Sequence, residues 1–406
     1  MFVAAIVTIA MAASACGESS ARTAPRTRAA SSPPLDPVTV LVQGMSTEEK
    51  VGQLFIPTIA GATPAKGAAV VRKYHLGGVI YFPANLQSPR QTAKLSNGLQ
   101  RAAMKGGVPL LIGTDEEQGI VSRLPYITRF PANKALASTK NPDDDVRTAA
   151  RVTGEELRAV GIGQDFAPVA DVNVNPRNPV IGVRSFGADP QTVAHLVGVA
   201  IDAYRATGVA ATAKHFPGHG DTATDSHTGL PVITHSMREW ERLDAPPFKT
   251  AIAHHVDAIM TAHIVVPGLD RSGDPATMSK TVLTGLLHGR LGYDGVVVTD
   301  SLSMAGAIMK YGAPQAAVRA VEAGADMLLM PPKLGPAYDA VLSAVRAGRI
   351  PRSRLDEAVT RILRMKNERG LFRSPYVDVD RAEQVVGSTE HRAAAREVDA
   401  HIRAGR

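Results

Sequence analysis

Three histidines, one lysine and two aspartates lie close together in the segment KHFPGHGDTATDSH, residues 214–227. Pro217, Gly218 and Gly220 interrupt this segment, and such residues favour a loop over a regular helix. Imidazole, amine and carboxylate groups that converge in one loop can bind a polar substrate, transfer protons or hold a metal ion. Because a structural loop rarely needs three histidines, the segment predicts an active-site loop.

Other polar residues stand directly after short apolar runs. Asp115 follows LLIGT, Lys214 and His215 follow VAATA, His263 follows IMTA, and Asp300 follows GVVVT. Any one of them could be a helix N-cap aspartate or a hydrogen-bonded core histidine. Their repeated position at the end of an apolar run favours side chains that meet in one site.

Eight apolar runs of this kind alternate with helical stretches, which is the pattern of β/α units and a parallel sheet. The predicted strands are 51–57, 78–82, 110–114, 163–167, 209–214, 258–262, 295–299 and 326–330. Predicted helices between them include 91–104, 146–160, 191–207, 280–287 and 315–323. We predict the α/β class and a single-domain TIM-like (β/α)8 barrel, with a doubly wound open sheet as the alternative. A barrel carries its chemistry at the C-terminal ends of its strands, where these polar residues stand.

Composition narrows the class of protein. The chain has 406 residues, of which 44% are hydrophobic, and a barrel of this class needs roughly 250. The net charge is +7, but Lys and Arg are spread along the chain and only 4% of residues are aromatic. This distribution argues against a nucleic-acid partner. With Trp240 as the only tryptophan, the chain also lacks the residues for a row of aromatic stacking platforms.

The N-terminal region predicts export. Residues 1–15 form a short apolar stretch that ends in small residues before Cys16, the only cysteine, so an internal disulfide is excluded. The stretch is typical of a signal h-region, and small residues before a lone cysteine resemble a bacterial lipobox, which implies lipidation of Cys16. An ordinary cleaved signal is the alternative. Residues 16–45 are predicted to be a disordered tether, 46–372 the barrel, and 373–406 a tail with a terminal helix.

Four motifs resemble one known family in the same order along the chain. They are TDEEQGIVSRL at 114–124, IGVRSF at 181–186, KHFPGHGDTATDSH at 214–227 and TDSLSM at 299–304. Together they resemble glycoside hydrolase family 3, in particular its single-domain bacterial β-N-acetylglucosaminidases of the NagZ type, over residues 46–372. The resemblance implies a TIM-like barrel, in agreement with the strand pattern.

The resemblance also implies catalytic roles. It makes Asp300 the nucleophile and His227 the general acid/base, paired with Asp225. Retaining hydrolysis needs a carboxylate that attacks the anomeric carbon and a second group that protonates the leaving oxygen and then deprotonates water. A neighbouring carboxylate favours the charged imidazole, so Asp225 could keep His227 able to donate near neutral pH.

The same resemblance assigns sugar binding to a group of charged residues: Asp115, Arg123, Arg184, Lys214 and His215. An aspartate accepts hydrogen bonds from sugar hydroxyls, whereas lysine, arginine and histidine donate to oxygens. On sequence alone, Arg123 and Arg184 could instead be plain ion-pair partners. His219 could simply shape the loop, and His263 could line the barrel floor.

We therefore predict an exported, lipid-anchored, exo-acting retaining β-N-acetylhexosaminidase that removes N-acetylglucosamine from cell-wall fragments. Its expected partners are a small carbohydrate or muropeptide and the membrane, through the lipid anchor only. We expect no cofactor, no metal and a monomer. Two-domain members of the family take their acid/base from a second domain, for which we expect no room after Phe372.

Three alternatives remain open. The same residues could use phosphate in place of water, since a neutral histidine repels phosphate less than a carboxylate does. The chain could be a wall-binding lipoprotein without turnover. The third alternative is a metal site formed by the histidines and aspartates of the loop: His215, His219, His227, Asp221 and Asp225.

Overall fold

The computed structural model describes residues 36–226 and 229–404. The predicted export signal, Cys16, the tether up to residue 35, and His227 lie outside the described residues. The described residues from Pro37 onward form one compact unit.

Eight short parallel strands form a closed barrel. They are β1 Phe55–Ile56, β2 Gly78–Ile80, β3 Leu111–Thr114, β4 Gln164–Asp165, β5 Ala210–Phe216, β6 Ala258–Thr261, β7 Val296–Thr299 and β8 Leu328–Leu329. Strands β2 to β7 pair in sequence order, and β1 pairs with β8. Parallel bridges Thr58–Ile80 and Val298–Met327 join the two sets and complete the ring. The predicted TIM-like barrel is therefore confirmed, and each predicted strand overlaps an observed one.

Helices surround the barrel. They are α1 Pro37–Gly44, α2 Thr47–Gln53, α3 Pro64–Tyr74, α4 Pro89–Ala103, α5 Asn133–Leu136, α6 Pro142–Ala159, α7 Pro190–Ala206, α8 Met237–Leu243, α9 Ala245–Ala253, α10 Ala305–Ile308, α11 Ala313–Ala323, α12 Leu334–Arg346, α13 Arg352–Glu368, α14 Val379–Val385 and α15 Thr389–Ala404. A π-helical segment, Thr281–Arg290, stands where the fourth predicted helix was placed. Within the described part of the chain, no helix combines the length and apolar character needed to cross a membrane.

The first strand is shorter than predicted because a helix occupies part of its range. The Ser46 hydroxyl accepts a hydrogen bond from the Glu49 backbone N–H at 3.2 Å, and the Glu49 carboxylate accepts one from the Ser46 backbone N–H at 2.8 Å. This reciprocal cap starts α2 at Thr47. Residues 51–53 therefore lie in a helix, and the prediction of strand over 51–57 is wrong for them.

The two ends of the described chain pack against the barrel helices. Residues 37–44, which we predicted to be part of the tether, form α1, because Val38 and Val42 are buried against the core. At the other end, His391 of α15 lies 2.8 Å from Glu156 and 3.0 Å from Glu155, both on α6. The described residues of the predicted tail therefore belong to the same compact unit.

Aromatic packing supports the segment that follows β5. The ring of Phe216, at the end of β5, meets those of Phe248 and Trp240 edge to face at 5.1 and 6.2 Å. The Trp240 indole N–H donates to the Pro217 carbonyl at 2.8 Å. The core thereby fixes the start of the histidine-rich loop.

Candidate active site

A cavity of about 420 Å³ lies at the C-terminal ends of the strands. Six predicted site residues line it: Asp115, Arg123, Arg184, Lys214, His215 and Asp300. Glu117, His219 and Ser226 also contribute to its wall. A larger and more apolar cavity lies beside α1. We place the chemistry in the smaller cavity because strand-end carboxylates and cations meet there.

Lys214 is the centre of a buried charge network. Its ammonium lies 2.9 Å from Asp115 and 2.6 Å from Glu117. Burial favours the neutral amine, but the two carboxylates outweigh it and raise the pKa of Lys214. Arg184 donates two parallel hydrogen bonds of 2.7 Å to the Glu117 carboxylate. Burial opposes ionisation of Glu117, yet Lys214 and Arg184 hold its pKa far below the usual range.

Arg184 therefore acts both as an ion-pair partner and as part of the cavity wall. Its remaining terminal nitrogen, Nη1, donates to the Val180 carbonyl at 3.0 Å. Arg123 is held more loosely: its guanidinium lies 3.8 Å from Asp115 and over the Phe82 ring at 5.3 Å. Within the described residues, the buried Arg123 Nε has no hydrogen-bond partner. Arg123 therefore contributes a less tightly held guanidinium to the cavity wall.

Asp171 orients His215, although sequence reasoning did not single it out. Its Oδ2 lies 2.7 Å from His215 Nδ1, and its Oδ1 accepts backbone N–H bonds from His215 and His219 at 3.1 and 2.7 Å. Burial alone would raise the pKa of Asp171, but the His215 imidazole lowers it. An ionised carboxylate only accepts, so Nδ1 of His215 carries the proton in this contact.

Asp300 follows β7 and borders the cavity. Its Oδ1 accepts the Ser301 backbone N–H at 2.6 Å. Burial would raise the pKa of Asp300, but His215, His263 and the Ser301 N–H together lower it. The side chain is therefore an ionised carboxylate near neutral pH.

His263 supports the residue after Asp300. Its Nε2 donates to the Ser301 carbonyl at 3.0 Å, and its Nδ1 lies 2.9 Å from the Thr277 hydroxyl. Burial lowers the pKa of His263, which favours a neutral ring in this role. His263 thus fixes the backbone at Ser301.

The histidine-rich loop is anchored at several points. His235 bridges Asp244 and Asp221 through its two ring nitrogens at 2.8 and 3.0 Å. Gly218, with φ of +130°, passes so close to Asp244 that a Cβ there would lie 2.6 Å from its Oδ1. Asp225 lies within the described part of the loop, whereas its proposed partner His227 does not. The pairing of these two residues stays a prediction.

The metal alternative concerns the same loop. His215 contacts Asp171, and both ring nitrogens of His219 contact hydroxyl groups, those of Thr222 and Ser226. Across residues 36–226 and 229–404, no cluster of three or more His, Cys, Asp or Glu side chains is arranged to hold a metal ion.

Comparison with known proteins decides the family. The family model described as "Glycosyl hydrolase family 3 N terminal domain" matches residues 46–365. The chain belongs to glycoside hydrolase family 3. The resemblance inferred from the four sequence motifs is thus confirmed.

Several relatives of this family 3 chain carry related names. A β-N-acetylglucosaminidase/β-glucosidase of Cellulomonas fimi is 38% identical over 365 residues, which cover 88% of this chain and 64% of the relative. The β-hexosaminidase LpqI of Mycobacterium tuberculosis is 37% identical over 332 residues, 79% of this chain and 83% of LpqI. This chain therefore spans less than two-thirds of the Cellulomonas protein.

A solved structure supports the same family. The family 3 β-N-acetylglucosaminidase of Paenibacillus sp. str. FPU-7 superposes with a TM-score of 0.84 at 43% sequence identity. The match covers 88% of this chain and 69% of that chain. The barrel of this family 3 chain is thus shared with a structurally characterised relative.

Two residues of this family 3 site were missed from the sequence. Asp171 follows the apolar run FAPVA at 166–170, so its position after an apolar run was a usable signal. Glu117 is the last of three consecutive acidic residues that begin at Asp115, and nothing local distinguishes it from Glu116. The structure separates them, because Glu116 caps the backbone N–H groups of Arg123 and Leu124 at 2.8 and 3.1 Å, whereas Glu117 faces the cavity.

Proposed function

We propose that this protein is an exo-acting, retaining β-N-acetylhexosaminidase with Asp300 as its nucleophile. One observation carries the proposal: the ionised carboxylate of Asp300 shares a small cavity with cationic and anionic side chains, which can form hydrogen bonds to a sugar. The names of the relatives support the same class of reaction. Because those relatives include proteins longer than this chain, the activity of the whole protein is part of the proposal.

Asp300 has the properties that attack on an anomeric carbon requires. It is ionised, and its Oδ1 is held by the Ser301 N–H at 2.6 Å. The other carboxylate oxygen would form the bond to the sugar as the glycosidic oxygen leaves. Water would then release the sugar from the covalent intermediate.

His227 is proposed as the group that protonates the leaving oxygen and later deprotonates water, with Asp225 as its partner. The proposal rests on family membership and on the position of these residues in the histidine-rich loop. The preceding residue, Ser226, forms part of the cavity wall. The acid/base therefore follows directly in the chain after a residue at the site.

The charged side chains of the cavity suit one terminal sugar. Asp115 would accept from hydroxyls, while Lys214, Arg123 and His215 would donate to ring substituents and hydroxyl oxygens. A sugar that lacks such a group would leave a buried charge unpaired, which gives strong discrimination. A volume of about 420 Å³ belongs to the range of small-molecule pockets and suits exo cleavage.

The substrate and location follow from the proposed chemistry and the sequence. An exported, lipid-anchored enzyme with a pocket for N-acetylglucosamine would meet cell-wall fragments outside the cell membrane. We propose Cys16 as the lipidated residue and peptidoglycan fragments as the natural substrate class.

Hydrolysis of an aryl β-N-acetylglucosaminide tests the activity. We expect release of the aryl group by the wild type, loss of release in Asp300→Ala, and wild-type rates in Asp294→Ala, an exposed aspartate before β7. A fluorinated N-acetylglucosamine analogue should label the peptide that contains Asp300. Absence of turnover in the wild type, or turnover unaffected by Asp300→Ala, refutes the assignment.

Phosphate and azide separate the remaining mechanisms. Hydrolysis yields free N-acetylglucosamine at any phosphate concentration, whereas formation of the sugar 1-phosphate would identify phosphorolysis. In His227→Ala, added azide should restore turnover of an activated aryl substrate and yield the glycosyl azide, since azide needs no general base. Failure of azide to restore turnover argues against His227 as the acid/base.

A further inference from the structure

Ser226 lies where two catalytic loops meet. It belongs to the loop after β5, and its carbonyl accepts the backbone N–H of Gly306, in the segment after Asp300, at 3.2 Å. Its hydroxyl lies 3.1 Å from His219 Nε2. The residue is only 1% exposed, yet it forms part of the cavity wall. Ser226 is therefore fixed through its backbone and its side chain.

The contacts of His219 determine where the Ser226 proton lies. The Thr222 hydroxyl is 3.1 Å from the His219 carbonyl and 2.8 Å from His219 Nδ1. If Thr222 donates its one proton to the carbonyl, Nδ1–H donates to Thr222, and Nε2 accepts from Ser226. This arrangement satisfies all three contacts with one proton each. In the other tautomer, Nε2–H donates to Ser226 and Thr222 must donate to Nδ1, so no proton remains for the contact between Thr222 and the His219 carbonyl.

A neutral His219 is required for this arrangement, and its surroundings favour one. The ring is almost wholly buried, and burial lowers the pKa of His219. With Nε2 as the acceptor, no hydrogen bond within residues 36–226 and 229–404 uses the lone pairs of the Ser226 hydroxyl oxygen, so they can serve another partner.

Two carboxylates of the cavity already contact cations. Lys214 and Arg184 occupy Glu117, and Lys214 also contacts Asp115. Asp300 is reserved for the anomeric carbon under the proposed function. A sugar brings several hydroxyl and amide protons, each of which needs an acceptor once water is excluded.

We infer that Ser226 binds the substrate as a hydrogen-bond acceptor for a sugar O–H or N–H, and that His219 is the positioning residue that holds its hydroxyl in this state. The inference rests on the proposed function for the identity of the sugar. It adds one neutral acceptor to the charged groups proposed above for sugar binding.

Binding of N-acetylglucosamine to the full chain tests this inference by titration calorimetry. Ser226→Ala should raise the Kd about tenfold and lower kcat/KM of the aryl substrate by a similar factor, as expected for one buried hydrogen bond. His219→Asn keeps an amide near the Thr222 hydroxyl but places no acceptor near Ser226. His219→Asn should therefore give the same loss of sugar affinity, and the double variant should lose no more affinity than either single variant.

A matched control separates a local effect from unfolding. His195→Asn changes an exposed histidine paired with Asp143 and should leave Kd, kcat/KM and the thermal midpoint at wild-type values. An unchanged Kd in Ser226→Ala, or additive losses in the double variant, overturns the inference while wild-type turnover upholds the proposed function. If the wild type binds N-acetylglucosamine but does not cleave the aryl substrate, and Ser226→Ala weakens that binding, the inference stands and the proposed function fails. A wild type that neither binds nor cleaves refutes both.

Discussion

Glu117 offers the sharpest test of the charge network, because its carboxylate serves two cations at once. Two hydrogen bonds of 2.7 Å come from Arg184, and the Lys214 ammonium lies 2.6 Å away. Glu117→Gln preserves the shape but removes the charge and replaces one oxygen by an NH2 donor. That donor must face a cation that also donates. At least one contact is lost, and both cations lose their shared counter-charge.

The structure allows the size of the effect to be worked out. Removal of one partner of a buried ion pair costs about 3–5 kcal/mol, and the lower value applies here because Lys214 keeps Asp115 at 2.9 Å. The compact unit, Pro37–Arg406, should have an unfolding entropy of about 0.8 kcal/mol per degree. The thermal midpoint should therefore fall by about 4 °C. In the cavity, displacement of Arg184 and Lys214 should raise KM about tenfold or more, with a smaller change in kcat.

Calorimetric unfolding and steady-state kinetics on the aryl substrate measure the two effects. Glu48→Gln is the matched control, since Glu48 pairs with Arg346 at the surface, where an ion pair contributes little. Its midpoint should shift by no more than about 1 °C. If Glu117→Gln unfolds at the wild-type temperature and keeps the wild-type KM, the charge network does not organise the site.

Three further outcomes follow from buried or strained positions. Burial lowers the pKa of Lys366 to about 7, so the unfolded chain binds a proton that the native chain lacks between about pH 7 and 10. Stability should rise with pH across that window by up to about 5 kcal/mol, and Lys366→Met should abolish the rise in denaturant titrations. Gly218→Ala should lower stability more than Gly348→Ala, because only the first meets another group, Asp244; equal losses would contradict this. The lowered pKa of Asp300 predicts that covalent labelling stays constant down to about pH 5, and a fall near pH 6 would count against it.

Most of the strands were predictable because buried parallel strands are mostly contiguous apolar runs, although β4 consists of Gln164 and Asp165. Each of the eight runs in the sequence overlaps an observed strand. The exception within the first run has a local cause, since the helix that the reciprocal cap between Ser46 and Glu49 starts continues into Val51, Gly52 and Gln53, which are buried as strand residues would be. Apolar character alone does not distinguish a buried strand from the buried side of a helix.

The site was predictable in its charged residues at strand ends but not in their pairing. Asp171 and His215 are separated by 44 residues, and Glu117 and Arg184 by 67. Which carboxylate meets which cation depends on how neighbouring strand ends face each other in the closed barrel. No spacing within one motif contains that information. The sequence left open that Arg184 is an ion-pair partner, and only the structure identifies Glu117 as the other member of the pair.

Under the proposed function, the difference between Asp300 and the other carboxylates explains how one cavity can both bind a sugar and react with it. Asp115 and Glu117 each lie within 3 Å of the Lys214 ammonium, so the charge of each is balanced by direct contact. Asp300 forms no ion pair with any described residue, yet its pKa is lowered by nearby groups. A direct salt bridge would also keep it ionised, but it would occupy the oxygen that must attack and reduce its nucleophilicity. Nearby groups that act without a direct salt bridge favour the carboxylate form. Among the described residues none donates a hydrogen bond to Oδ2, which is the condition that a nucleophile needs.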